Sequence, residues 1–232
     1  MNENQLSKRL ARVGQLIPEG SRLADIGSDH AYLPVWLMLQ GKIAFAVAGE
    51  VVTGPFESAQ KQVRKSGLSE GIVVRLADGL DAVQPQDKID VVSICGMGGA
   101  LITDILEKGR QQGRLTGSEL LVLQPNVGEQ GLRLWLMRHG YQIIEEDILE
   151  ENHKIYEILV AARGSQPVAY SQDELLFGPK LLHRKGQVFK KKWRRELEQR
   201  KHVARQLEKS SADQQTKIEQ LNQEMARIEE VL

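Results

Sequence analysis

Leu6, Leu10, Val13 and Ile17 recur at helical spacing among polar residues, which predicts an amphipathic helix over residues 4–17, closed by Pro18 and Gly20. The pattern then shortens. "RLADI" (22–26), "IAFAVAG" (43–49), "GIVVRLA" (71–77), "IDVVSIC" (89–95) and "ELLVLQ" (119–124) are short apolar runs bounded by Gly, Asp or Pro. Runs of this kind are the pattern of buried strands. Helical patterns at 31–40, 55–66, 99–109 and 128–139 separate them. Alternation of this kind predicts an α/β fold, a parallel sheet with helices on both faces. Two further strand-like runs, "YQIIEEDILEE" (141–151) and "KIYEILVAA" (154–162), have only Asn152 and His153 between them. So short a connection permits only an antiparallel pair. The predicted core is five parallel strands plus a terminal hairpin.

"GSQPVAY" (164–170) reads as a linker, dividing the chain into residues 1–165 and 172–232. From about Asp173 the chain is helix-forming and charge-rich. Positions spaced alternately by four and three run from Trp193 through Leu197, Arg200, Ala204 and Leu207 to Ile218, Leu221, Met225, Ile228 and Leu232. That is a heptad seam, broken at Ser211 and Gln214 within "KSSADQQ", where the Ser-to-Gln spacing suits a capping box. Two helices folded into an antiparallel coiled-coil hairpin are the preferred reading, which makes the chain a monomer. One continuous rod would leave its apolar seam bare unless it formed a coiled-coil dimer.

Charge sharpens this division. The chain as a whole is neutral, with 31 Lys/Arg and 31 Asp/Glu. Residues 180–209 nevertheless hold twelve Lys/Arg against three Asp/Glu, a net of +9. The second coiled-coil helix brings five acids and two bases, too few to account for that excess. Clustered cations neutralise phosphates, so nucleic acid is the expected partner of this segment. Phe189 and Trp193 lie among the cations, yet both also fall on the apolar face, where a core role outweighs stacking on bases. The lone Cys95 excludes an internal disulfide and fits a reducing compartment. The N-terminal segment has no apolar stretch of signal-peptide length and no run approaches a membrane span, so the expected location is cytoplasmic, with no membrane partner.

Candidate chemistry gathers where the strands end. "ADIGSDHAYLP" (24–34) starts as a nucleotide site, with Asp25 and Gly27 closing a strand, but then departs from the usual glycine-rich continuation. Asp29, His30 and Tyr32 stand where bare backbone is expected. Glu50 closes the second strand, placed to accept both hydroxyls of a ribose. Asp78 and Gly79 follow the third. Gly96, Gly98 and Gly99 in "ICGMGGALI" imply backbone bordering a ligand or a helix packed closely on the sheet, with Met97 set against a flat base. Asn126 in "LQPNVGE" offers both a donor and an acceptor for a base edge. No Cys/His cluster has metal-ligand spacing, and no Ser-His-Asp arrangement or P-loop is evident.

Over most of residues 5–162 these motifs resemble the bacterial tRNA (adenine(22)-N1)-methyltransferases, the TrmK family. The resemblance runs through "ADIGSDHAYLP", "AGEV", "CGMGG", "LQPNVGE" and "WLMRHGYQIIEEDILEENHKIYEILVA". Cys95 replaces the alanine of the usual "AGMGG". The terminal hairpin likewise fits Rossmann-like methyltransferases better than dehydrogenases. The resemblance implies a Rossmann-like class I methyltransferase domain binding S-adenosyl-L-methionine, and a C-terminal helical coiled-coil domain gripping tRNA. Asp25 and Gly27 would border the methionine moiety, Glu50 with Val51 the ribose, and Asp78 with Gly79 the adenine. Gly96, Met97 and Gly98 would line the wall between cofactor and substrate. The Asn/Asp-Pro-Pro-aromatic motif of adenine-N6 enzymes is missing, so the target base must be held differently.

N1 of neutral adenine has its own lone pair, so methylation needs no prior deprotonation. The product is cationic, and a carboxylate beside it would stabilise the developing charge and take an N6 proton. Asp29 is the candidate, with Asn126 orienting the base and His30 or Tyr32 shaping the pocket. Lys185, Lys190, Lys191, Lys192, Arg194, Arg195, Arg200 and Lys201 are the candidate tRNA contacts. A non-catalytic RNA-binding protein on a methyltransferase-like scaffold is the alternative. A small-molecule methyltransferase would leave the basic segment unexplained.

Overall fold

The computed structural model describes residues 6–208 and 215–232. Helix α1 (Lys8–Leu16) is capped by the Ser7 hydroxyl, which accepts from the Leu10 amide, and it stops short of Pro18. Five parallel strands follow: β1 (Ser21–Ile26), β2 (Ile43–Glu50), β3 (Ile72–Leu76), β4 (Val91–Gly98) and β5 (Leu120–Val127). Helices α2 (Tyr32–Leu39), α3 (Thr53–Lys65), α4 (Gly99–Gln111) and α5 (Glu129–Arg138) alternate with them. Strands β6 (Tyr141–Glu151) and β7 (Lys154–Arg163) complete a seven-stranded sheet in the order β3-β2-β1-β4-β5-β7-β6. Asn152 and His153 are both left-handed, as a two-residue hairpin turn demands.

Each sheet face carries its own core. Val13 and Ile17 at the end of α1 pack with Leu33 and Leu37 of α2 and Val63 of α3 on one side. Ile102 and Leu106 of α4 pack with Leu132 and Leu136 of α5 on the other. The chain leaves β1 in one direction, through β2 to β3, then returns to lay β4 beside β1. The carboxyl ends of β1 and β4 therefore border a topological switch point, where an open α/β sheet leaves a crevice for ligand. Strand β4 runs on through "CGMG", past the expected end at Cys95, with register shifts against β5 on either side of Met97.

The C-terminal part differs from a plain coiled coil at its start. Two short helices come first, α6 (Gln172–Phe177) and α7 (Pro179–Arg184), separated by Gly178 at φ +89°. Helix α8 (Gln187–Glu208) then packs against α9 (Gln215–Val231). Arg200 pairs with Glu224 at 2.9 Å, while Trp193 and Leu197, earlier in α8, share a core with Ile228 and Val231, later in α9, so the two helices run antiparallel. Phe177, Leu181, Phe189, Trp193, Leu197, Ile228 and Val231 form a third core. Phe189 and Trp193 are core aromatics, stacked edge-on with Phe177 rather than displayed to solvent. The expected capping box at Ser211 lies outside the described residues. No described helix is long and apolar enough to cross a membrane.

A buried ion network joins the helical part to the sheet. The Arg133 side chain of α5 is fully buried and donates to Glu146 of β6 at 2.8 Å and to Glu157 of β7. It also donates to the carbonyls of Leu175 and Leu176 in α6. The second oxygen of Glu146 accepts from the Lys180 amide in α7 at 2.8 Å, and Glu157 accepts from Lys192 of α8 at 2.7 Å. Gly178 is small because a Cβ there would lie 2.7 Å from both the guanidinium and the Glu146 carboxylate.

Candidate active site

Asp25 sits near the end of β1, opposite Ser93 of β4 in the parallel register. Its buried carboxylate accepts from the hydroxyls of Ser28 and Ser93, each at 2.6 Å. Burial pushes its pKa up against those two hydrogen bonds, with Asp29 adding to the rise. The sequence points to Asp25 as a direct cofactor ligand; in the structure it also ties β1, β4 and the following loop together.

That loop has the least ordinary backbone among the described residues. Gly27 has φ +68°, and Asp29, His30 and Ala31 follow at +45°, +67° and +57°. Three consecutive non-glycine residues in the left-handed region cost roughly 1–2 kcal/mol each. Inward hydrogen bonds hold them there: Gly27 and Ser28 donate to the Gly49 carbonyl, and the Asp29 amide donates to Glu50. A Cβ on Gly27 would lie 2.1 Å from Cε of Met97, so this glycine also makes room for the "CGMGG" segment. The outcome is a turn that lifts the Asp29 side chain into solvent, 72% exposed, with His30 3.6 Å away and stacked on Tyr32. All three follow the carboxyl end of β1, on the side of the sheet where the switch point lies.

Glu50 ends β2 and is 6% exposed. Burial raises its pKa, the Asp29 amide opposes the rise, and Asp25 and Asp29 add to it. A buried carboxylate with one recorded donor keeps free lone pairs on both oxygens, which suits two hydroxyl donors. Beside it Val51 is exposed, as is Leu76 at the end of β3. Asp78 is exposed and pairs with Lys108 of α4 at 2.7 Å; Lys108 also holds Asp81 at 2.9 Å. Gly79 follows at φ +57° against Ile105.

The opposite wall is built from β4 and β5. Gly96 has φ +77°; its N–H donates to Gln124 Oε1 at 3.0 Å and its carbonyl accepts from Asn126 Nδ2 at 2.7 Å. Arg9 of α1 donates to the same Gln124 oxygen and lies over the Tyr156 ring, 5.3 Å from its centroid. Gln124, fully buried, passes a further hydrogen bond to Asn126. Asn126 is thus oriented by two partners while remaining at the surface. Arg9, Gln124, Ser28, Ser93 and Lys108 escape the sequence reading. Only Gln124 leaves a trace, as a polar residue ending an apolar run. Burial pushes the Cys95 thiol far up, which removes it as a thiolate nucleophile near neutral pH.

The basic segment is less free than its composition suggests. Lys192 is turned inward to Glu129 and Glu157 at 2.6 and 2.7 Å, with its side chain 15% exposed, so it is a structural cation and is withdrawn from the phosphate-binding set. Arg200 is likewise held between Glu196 and Glu224. Lys191 and Arg195 pair with Glu150, and Lys201 with Glu229. The acids that hold Lys191, Lys192 and Arg195 come from the sheet and α5, which the count over the coiled coil alone leaves out; those on Arg200 and Lys201 belong to the hairpin itself. Lys185 and Arg194 are exposed and Lys190 partly so, and no ion pair to any of them occurs among the described residues.

The family model described as tRNA (adenine(22)-N(1))-methyltransferase matches residues 23–230. The tRNA (adenine(22)-N(1))-methyltransferase of Bacillus subtilis (strain 168) is 45% identical over 238 residues, covering 100% of this chain and 99% of that protein. The structure of Streptococcus pneumoniae Sp1610 in complex with S-adenosyl-L-methionine superposes with a TM-score of 0.89 at 44% identity, covering 98% of this chain and 100% of that one. M. capricolum TrmK in complex with S-adenosyl-homocysteine gives a TM-score of 0.85 at 28% identity, over 97% and 96% of the two chains. With likeness on this scale extending from the sheet through the helical hairpin, the chain belongs to the tRNA (adenine(22)-N(1))-methyltransferase family.

Proposed function

We propose that the protein methylates N1 of adenine 22 in tRNA with S-adenosyl-L-methionine, and that the turn at 29–31 presents the residues that face the base. The observation that carries the residue assignment is that turn: strained backbone, locked to Glu50 from inside, with Asp29 and His30 projecting outward. When bound, the cofactor supplies an electrophilic sulfonium methyl group. Glu50 would take the ribose hydroxyls, and Asp78 the adenine amine, with Val51 and Leu76 against the ring. Asp25 and Gly27 would border the methionine moiety. Gly96, Met97 and Gly98 would separate it from the incoming base. Asn126 would hold the base edge, His30 and Tyr32 would form the pocket wall, and Asp29 would stabilise the positive charge that appears on the base and accept its N6 proton.

Incubation with unmodified tRNA and methyl-labelled cofactor, followed by nucleoside analysis, tests this reading. The expected product is labelled 1-methyladenosine. Binding of tRNA without transfer of label would instead favour the non-catalytic scaffold.

A pH experiment tests Glu50. Because burial holds its carboxyl above the ordinary glutamate range, it takes up a proton earlier as pH falls, and a protonated acid accepts hydroxyls poorly. Cofactor affinity is therefore full at neutral pH and declines on acidification, starting above the range in which an exposed glutamate titrates. Glu50→Gln binds weakly throughout and shows a flatter profile by calorimetry. An unchanged affinity in this variant would sink the assignment.

Lys190 and Arg194 lie four residues apart on one face of α8, where Lys201 follows. They are the proposed phosphate contacts, with Lys185 beside the start of the helix. Replacing Lys190 and Arg194 by alanine should lower the salt dependence of tRNA binding by about one logarithmic unit of slope per cation. Cofactor affinity should not change. The α8 seam is covered by α9 of the same chain, so a monomer is expected in sedimentation. A cytoplasmic location fits the lone cysteine and the tRNA substrate.

A further inference from the structure

A cleft of about 440 Å³ opens between the β5–α5 loop and α8, at the joint of the sheet and the helical hairpin. It is large enough for a nucleotide. Val127, Ile155, Leu176 and Trp193 supply apolar walls, while Asn126 and Arg195 stand among its polar residues. Asn126 belongs to both places at once, since it lines this cleft and donates to Gly96 of the active site. One side chain therefore separates the cleft from the wall of the crevice. The indole N–H of Trp193 is shut off from solvent and has no acceptor among the described residues.

The chemistry favours a base over a bare phosphate. The cations around the cleft are already matched: Lys192 by Glu129 and Glu157, Arg200 by Glu196 and Glu224, and Arg195 by Glu150. An unshielded anion would find little net charge there. A flat base would find aliphatic walls, a half-exposed guanidinium to stack on, and side-chain amides able to read its edge. A substrate that spans both parts of the chain would meet the β5–α5 loop and α8 together at this cleft.

We propose that this cleft is a second base pocket, which receives the nucleotide next to the methylated adenosine of tRNA. It rests on the tRNA reading above. Occupying the cleft anchors the strand one nucleotide from the reacting base, helping to offset the cost of drawing that base out of its stack. The pocket also gives the enzyme a way to discriminate among tRNAs at a position it does not modify.

The test combines cleft variants with altered tRNA. Ile155→Trp fills the cleft from its rim, and Arg195→Ala removes the half-exposed guanidinium on which the base would stack. Each is assayed on intact tRNA and on tRNA with an abasic residue on either side of the target, with melting temperature and cofactor affinity measured in parallel. On intact tRNA, Ile155→Trp should lower kcat/KM by about tenfold, the scale of one lost base contact. On the abasic tRNA that lacks the cleft nucleotide, the variant and the wild type should be nearly equal. Lys190→Ala serves as the control, with the same loss on both tRNAs. Arg195→Ala should repeat the non-additive pattern should Ile155→Trp melt early. Equal losses on intact and abasic tRNA for both variants, or no loss, would overturn the cleft alone. A wild-type enzyme inactive on intact tRNA would overturn the activity and the cleft's role with it.

Discussion

Arg133→Met should lower the unfolding free energy by about 3–5 kcal/mol, the usual cost of leaving buried carboxylates without their cation. Glu146 and Glu157 are both buried against this guanidinium, shut off from bulk solvent. Burial holds Glu146 above its ordinary pKa. Burial works the same way on Glu157, but Arg133 and Lys192 outweigh it and bring Glu157 below the usual value. Removing the cation lets both pKa values rise. In the variant both carboxyls then take up protons as pH falls, and the neutral acids no longer need a partner. The stability deficit should therefore be widest near neutral pH and should narrow on acidification. Urea titration across pH reads this directly. A deficit that stays constant with pH would point to lost packing instead of lost charge.

The same network bears on how independent the two parts of the chain are. Arg133 reaches carbonyls of α6, Glu146 caps α7, and Glu157 holds Lys192 of α8. A chain ending at residue 171 would open this junction to solvent. The linker at 164–170 is thus a boundary in sequence across which folding is expected to remain cooperative, and Arg133→Met should loosen the helical hairpin along with the sheet.

The second large effect concerns Asp29. Asp29→Asn should reduce kcat by about a hundredfold, at the lower end of what a positioned acid or base contributes. The substitution is well suited to isolating charge. Asparagine tolerates the left-handed backbone as well as aspartate does, so the turn and its amide bond to Glu50 should survive. Cofactor affinity, and tRNA affinity at fixed salt, should stay within about twofold of wild type, since the lost interaction acts on charge present only during transfer. Single-turnover measurement at saturating tRNA and cofactor separates this from binding. Near-normal turnover would remove Asp29 from the chemistry and shift attention to His30, its neighbour at 3.6 Å.

Much of the architecture was legible in the order of apolar and polar residues. Strand and helix periods differ, and a two-residue connection between strands admits one geometry, so five parallel strands and a hairpin could be read directly. The acids at 25, 50 and 78 could be placed at strand ends because strand length is set by the apolar run. Candidate substrate residues at 29, 30 and 32 followed from what the motif lacked. Tertiary structure alone decided three things. Left-handed backbone at three consecutive non-glycine residues was not read locally, because hydrogen bonds donated by the loop to Gly49 and Glu50, about twenty positions away, hold it there. The basic segment read as uniformly available cations, yet Lys192 and Arg200 were claimed by acids remote in sequence. Arg9 and Gln124 entered the site wall only because α1 folds back over the end of β5. Local periodicity reports which face of an element is buried; which charge meets which depends on contacts across the whole fold, and those exist only once the sheet and the hairpin have been brought together.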